Sequence, residues 1–169
     1  KSKIIELLDL TLGDYSKIMD VAYITTKRGS SSAASPELER IRYARFVYMS
    51  EPDKDDQIFV GKLKQITGGD KMSSRGLFKE ASDFKPQFKI ILMCNDLPKL
   101  ANIDGGVTRR IEVVDFPSKF IDNPRPTPNN PHQYKMDMQL GSKLKQWNLL
   151  FLLKLLSYYK IYDKEGTKA

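Results

Sequence analysis

Apolar residues recur at helical spacing at the start of the chain, at Ile4, Ile5, Leu7, Leu8 and Leu12, with Gly13 as a stop. Met19–Thr26 (MDVAYITT) then reads as a short strand, and Lys27–Ser35 as a flexible loop of small residues. Ser35-Pro36-Glu37 predicts a helix start: a hydroxyl cap, a proline in the first turn, and acids near the positive helix end. That helix runs through Leu38 and Ile41 to about Tyr43, and Phe46–Glu51 (FVYMSE) follows as a strand with an acid at its tip. Asp55 or Asp56 is placed to cap a helix in which Ile58, Phe59, Leu63 and Ile66 share a face, broken at Thr67-Gly68-Gly69-Asp70. Lys71–Lys89 alternates loosely and predicts a β-hairpin with its tip around Phe78–Asp83.

The run Ile90–Cys94 is too short for an independent helix and has no polar face. Phe88–Asp96 (FKIILMCND) therefore reads as a strand buried on both sides within a parallel sheet. A loop, Leu97–Val107, leads to Arg109-Arg110 and a further strand, IEVVDF, at 111–116. Asn123–Pro131 (NPRPTPNNP) reads as rigid, extended and exposed. A long helix, Ser142–Tyr159, closes the pattern, with Trp147, Tyr158 and Tyr159 as core residues. No internal repeat interrupts this order.

Strands alternating with helices predict an α/β fold with a mostly parallel sheet. Two strands end in polar side chains, Glu51 and Asn95. As parallel neighbours they share the carboxyl edge of the sheet, where ligands bind in open α/β folds. With 169 residues, 40% hydrophobic and 29% charged, the chain can bury a core as one domain, or one domain with an appendage. Its net charge of +7 favours a polyanionic partner. The single Cys94 excludes a disulfide framework and a cysteine zinc site, and the lone His132 sits in the proline-rich loop as an incidental residue. No charged-then-apolar leader opens the chain, and Lys154 interrupts its longest apolar stretch, so neither a signal peptide nor a membrane span is expected.

A carboxylate at a strand tip can act as general base toward water, and a neighbouring carboxamide can hold that water. Phosphoryl transfer needs those two parts plus a phosphate cradle, a lysine, magnesium and an arginine. Lys1-Ser2 ahead of a helix fits the last two residues of the phosphate-binding pattern G-x-x-x-x-G-K-[ST], with the lysine reaching terminal phosphates and the hydroxyl on magnesium.

From Lys1 to Phe116 the order of motifs resembles the superfamily 3 helicases of the AAA+ class. It is most similar to primase-helicases of poxviruses and other large DNA viruses, and to related phage and plasmid primases. The stretches that carry the resemblance are GDY, ARFVYMSE, LKQITGGDKMSSRGLFKE, FKPQFKIILMCNDLP, RRIEVVDFP and QWNLLFLLKLLSYYKIY. The resemblance implies a three-layer P-loop sheet with a hairpin before the sensor strand, and a C-terminal helical segment. It implies an ATP-dependent replicative DNA helicase that works as a homo-hexamer on single-stranded or forked DNA, with ATP and Mg2+ as cofactors and other replication proteins nearby. The place of action would be intracellular, in host cytoplasm or at a viral replication site.

By the same resemblance Lys1 and Ser2 match the end of Walker A, and Glu51 matches the Walker B acid, with Ser2 and Glu51 as the metal side chains. Asn95 matches the sensor that orients the attacking water, and Arg110, with Arg109 beside it, matches the arginine finger. Lys79 matches the hairpin-tip lysine, with Arg75, Lys71 and Phe78 completing the DNA contact. The implied layout is an ATPase core over 1–122, a proline-rich connector over 123–141, and a helix with tail over 142–169. Ser50 stands where many relatives have a second acid, which leaves magnesium to Ser2 and phosphate, with Glu51 or Asp53 acting through water. The phosphate-loop glycines and the strand preceding them are absent, so the chain reads as part of a longer protein and is expected to be inactive alone. Against this stand a non-catalytic nucleic-acid-binding or oligomerisation module on the same fold, and an AAA+ ATPase acting on protein or duplex DNA.

Overall fold

A computed structural model of the protein describes residues 1–27 and 35–166. The loop expected at Lys27–Ser35 therefore falls, at positions 28–34, outside the described residues. In chain order the elements are α1 (Ser2–Leu12), β1 (Ser16–Ile18), α2 (Ala22–Thr25), α3 (Pro36–Ile41), β2 (Phe46–Met49), β3 (Gln57–Ile58) and α4 (Val60–Thr67). They continue as β4 (Met72–Ser74), β5 (Ser82–Phe84), β6 (Lys89–Leu92), β7 (Lys99–Leu100), α5 (Gly105–Thr108), β8 (Lys119–Ile121), β9 (Gln133–Lys135) and α6 (Leu140–Glu165). The chain is mixed α/β and divides into two compact units, Leu12–Glu112 and the remainder.

The Leu12–Glu112 unit is built on a parallel sheet in the order β1-β2-β6. β2 is the central strand: Phe46, Val47 and Met49 are all buried, and Val47 and Met49 have no exposed surface. Around them pack Ile24, Leu38, Ile41, Ile58, Ile66, Met72, Phe84 and Phe88. This corrects the expectation for FKIILMCND. β6 is an edge strand of that sheet, with Lys89 and Ile91 exposed and only Ile90 and Leu92 turned onto the core. An unbroken apolar run does not say which strand takes the centre; pairing decides, and β2 is the strand with a partner on both sides.

Other expectations shift for local reasons. The strand expected at Met19–Thr26 lies earlier, in β1, and Met19 N–H adds one more rung by donating to Tyr48 O at 3.0 Å. Asp20 Oδ1 then accepts from Ala22 N–H at 2.8 Å, and this side-chain bond turns the β-branched run into helix α2. Ser35 holds the N-cap position of α3 ahead of Pro36, as expected, but its hydroxyl makes no capping bond, and neither Asp55 nor Asp56 caps α4. Asp56 Oδ2 instead accepts from Asp53 N–H at 3.0 Å, and Ile58 leaves the helix to pair with Leu100. The hairpin forms as β4–β5 with Ser74 opposite Ser82, so its tip spans 75–81, and Asp83 lies in the ladder opposite Ser73. The loop expected at Leu97–Val107 contains β7 and the start of α5.

IEVVDF is not a strand. Its residues are exposed, and no strand pairs with it among the described residues; extended backbone without a neighbour leaves its N–H and C=O groups to water.

In the second unit, α1 buries Ile5, and Thr11 Oγ1 lies 3.5 Å from Asn148 O of α6. β8 and β9 pair in parallel, with Phe120 against Tyr134. Between them Thr127 and Asn130 exchange backbone hydrogen bonds, so the segment expected to be extended makes a tight turn. α6 is longer than expected and buries only Leu144; Trp147, Tyr158 and Tyr159 are exposed, which corrects their reading as core. No helix among the described residues is long and apolar enough to cross a membrane.

Candidate functional site

The β2–β6 register places two strand ends side by side. Met49 is opposite Leu92, and Met93 N–H still donates to Met49 O at 3.1 Å, so the strands part only after that rung. Glu51 and Asn95 then lie two residues further along each chain, at the same carboxyl edge. Asn95 donates twice to the carboxylate: its backbone N–H to Oε1 at 2.6 Å and its Nδ2 to Oε2 at 2.7 Å. Hydrogen bonds to an ionised acceptor are short and about twice as strong as neutral ones, so this pair holds the Glu51 carboxylate in one orientation. Both side chains are exposed to solvent. Each carboxylate oxygen has lone-pair capacity beyond one donor, which leaves room for a water alongside. The backbone donor at Asn95 is a part of the site that residue identity alone did not reveal.

Arg109 and Arg110 come from a different element. Asp104 caps α5, with Oδ1 accepting Val107 N–H at 2.9 Å and Oδ2 paired to Lys64 Nζ of α4 at 2.6 Å. The Lys64 ammonium, then the Val107 N–H, hold the Asp104 carboxyl below the usual carboxylate range. Val107, buried, anchors the short helix. Past it both arginines are exposed and fold back on their own helix, Arg109 Nε onto Gly105 O at 3.0 Å and Arg110 Nη1 onto Gly106 O at 2.6 Å.

The hairpin presents a third group. Phe78 stands at its tip with a left-handed φ of +58° and a fully exposed ring. Arg75 Nε donates to Lys79 O at 3.2 Å, and Lys79 N–H to Gly76 O at 3.2 Å, which closes the tip. Arg75 opens the tip and Lys79 follows Phe78 in the chain, and Lys71 lies at the foot of β4; all three are exposed. An exposed aromatic between cations is the pairing that stacks on a base and follows a phosphate backbone.

Lys1 and Ser2 head α1 in the other unit, both exposed, with Lys1 O accepting Ile4 N–H at 3.1 Å. The sheet thus brings Glu51 and Asn95 together, while the arginines and the hairpin residues are carried by their own elements of the same unit. No cluster of three or more His, Cys, Asp or Glu side chains suited to a metal occurs among the described residues.

No family model matches the chain. It is 43% identical over 174 residues to a protein of Acanthamoeba polyphaga mimivirus provisionally named a helicase, covering 98% of the chain and 18% of that relative. A protein of Frog virus 3, provisionally named a helicase as well, is 30% identical over 161 residues, 92% of the chain and 16% of its own length. A protein of African swine fever virus provisionally named a primase is 22% identical over 138 residues, 81% of the chain and 14% of its own length. The chain spans less than a fifth of the length of these relatives.

Proposed function

We propose that this chain, which belongs to the primase-helicase type family of large DNA viruses, forms part of a superfamily 3 motor that hydrolyses ATP to move along single-stranded DNA as a hexameric ring. The observation that carries this reading is the Glu51–Asn95 pair at the carboxyl edge of the parallel sheet. In this reading Glu51 takes the proton of the attacking water, and Asn95 keeps the carboxylate aimed and the water in line. Arg110, with Arg109 beside it, offers guanidinium donors to the phosphate held by a neighbouring subunit. Lys79, Arg75 and Lys71 follow the DNA backbone, and Phe78 meets a sugar or base. Such contacts carry little sequence information, as a motor requires.

ATP supplies the phosphoryl group when bound, and Mg2+ neutralises its charge. The donor set fits that ion: Glu51 is a single carboxylate, and magnesium prefers one or two carboxylates with phosphate and water over a cage of protein ligands. Lys1 and Ser2 are proposed as phosphate and ion contacts from the sequence pattern alone. The place of action is intracellular, among other replication proteins. The chain leaves the hairpin at β5, crosses four residues and enters β6, which leads to Asn95, so a short stretch of chain links the DNA-contact hairpin to the nucleotide edge of the sheet.

The test is Glu51→Gln in the full-length protein. Hydrolysis should fall by about 10²–10⁴-fold, the usual worth of a positioned general base, while nucleotide still binds. Turnover equal to wild type would overturn the assignment. A wild-type protein that binds DNA but never turns over ATP would point to the non-catalytic module instead.

A further inference from the structure

The hairpin is gripped close to its tip by a helix that the motor reading does not use. Arg42, at the C-terminal end of α3, has a side chain only 13% exposed. Its Nη2 lies 3.0 Å from Ser74 Oγ at the end of β4 and 3.0 Å from Ser82 O at the start of β5, and it also donates to Ser82 Oγ. Its guanidinium sits over the Phe84 ring, 5.4 Å from the centroid. Glu39, one turn earlier, pairs with Arg42 at 3.3 Å and accepts from Ser74 Oγ at 2.6 Å. At the other end of α3, Ser35 N–H donates to Arg75 O at 2.9 Å, and Arg75 N–H donates to Ser35 Oγ at 3.0 Å. These contacts converge on the last rung before the tip, Ser74 opposite Ser82, where Ser74 is fully buried.

An isolated two-stranded ribbon is marginally stable and free to twist. Arg42 Nη2 reaches both strands at one rung, and the guanidinium lies over the Phe84 ring, a seat that an ammonium does not reproduce. From Arg42 the chain passes through Ala44 and Arg45 directly into β2, the strand that ends two residues before Glu51. The ribbon is thus tied to the sheet twice: covalently through β5–β6, and through side chains by way of α3 and β2.

We infer that Arg42, with Glu39 and Ser74, is a positioning residue for DNA: it fixes the direction in which the hairpin presents Phe78 and Lys79, without touching DNA itself. The inference rests on the DNA-contact reading of the hairpin. It explains why an arginine and a glutamate converge on one buried serine at the rung next to the tip.

The test uses the full-length protein, a fluorescent single-stranded oligonucleotide, and four forms: wild type, Phe78→Ala, Arg42→Met and the double variant. Phe78→Ala should weaken DNA binding about tenfold, as lost base stacking does. Arg42→Met should weaken it to a similar degree, and the double variant should lose clearly less than the product of the two single losses, because both act through the tip. Backbone hydrogen exchange should rise over 72–84 in Arg42→Met and stay unchanged in β2 and β6. Normal DNA binding by Phe78→Ala would sink the hairpin reading. Losses that multiply in the double variant, or Arg42→Met binding like wild type while Phe78→Ala does not, would overturn the positioning role alone. So would exchange rising throughout the sheet, which marks general destabilisation. If Arg42→Met fails to fold, Ser74→Ala removes the same hub and is held to the same outcomes.

Discussion

Phe78 occupies backbone geometry that an L side chain adopts reluctantly, and its ring finds no cover in return. A left-handed residue other than glycine costs about 1–2 kcal/mol, and a fully exposed ring recovers none of it by burial. Replacing it with glycine relieves the strain while adding freedom to the unfolded chain. Phe78→Gly should therefore leave the denaturation midpoint of the protein unchanged or shift stability up by about 1 kcal/mol at most, even as DNA affinity falls. A clear loss of stability would mean that the ring supports the fold and is not held out for a ligand. At this scale the sequence was legible where chemistry sits at the end of an element. Glu51 and Asn95 stand out because each follows an apolar strand. Arg42 and Glu39 did not stand out, and Ser35 stood out only as a helix cap, since each reaches a partner 32 to 40 positions away, and no local pattern encodes such a pair.

Elements were readable when one periodicity governed them. α1 and the β4–β5 hairpin lie close to where spacing put them. Met19–Thr26 misled because β-branched residues suggested a strand, whereas the Asp20 carboxylate tied up a backbone N–H and made a helical turn cheaper. IEVVDF misled because alternation supplies a face but not a partner. α5 was missed, as two glycines argue against a helix. What holds it is Asp104, capping its first turn and pairing with Lys64 of α4. Its folded-state carboxyl lies below the ordinary value of 3.8, so the stabilisation is present above that pH and disappears as pH falls through the depressed value. Asp104→Asn keeps a capping oxygen and loses the ion pair. The urea midpoint of the variant should lie below wild type at neutral pH, and the gap should close in strong acid. A gap that stays constant from about pH 7 to about pH 2.5 would show that the Lys64 pairing contributes nothing.

At the scale of the whole molecule, a ring makes a demand that one chain cannot meet. If Arg110 serves a neighbouring subunit, every active site is assembled from two chains across a heterologous interface. Glu51 and Arg110 are then on opposite sides of that interface in function, although both belong to the Leu12–Glu112 unit of one chain. This separates the ring from a motor that supplies its own arginine. Glu51→Gln and Arg110→Ala should each be inactive in ATP hydrolysis when prepared alone as full-length protein. Mixed in equal amounts and allowed to reassemble, an Arg110→Ala subunit with intact Glu51 will sit beside a Glu51→Gln subunit with intact Arg110. Random placement completes about a quarter of the sites, so hydrolysis should recover to about that share of wild type, less any cost of needing successive sites to fire in order. An arginine acting within its own chain cannot produce this recovery, because every subunit in the mixture then carries one lethal defect. Complementation absent in rings that demonstrably exchange subunits would remove Arg110 from the role, and Arg109→Ala in the same mixture would show whether its neighbour holds it.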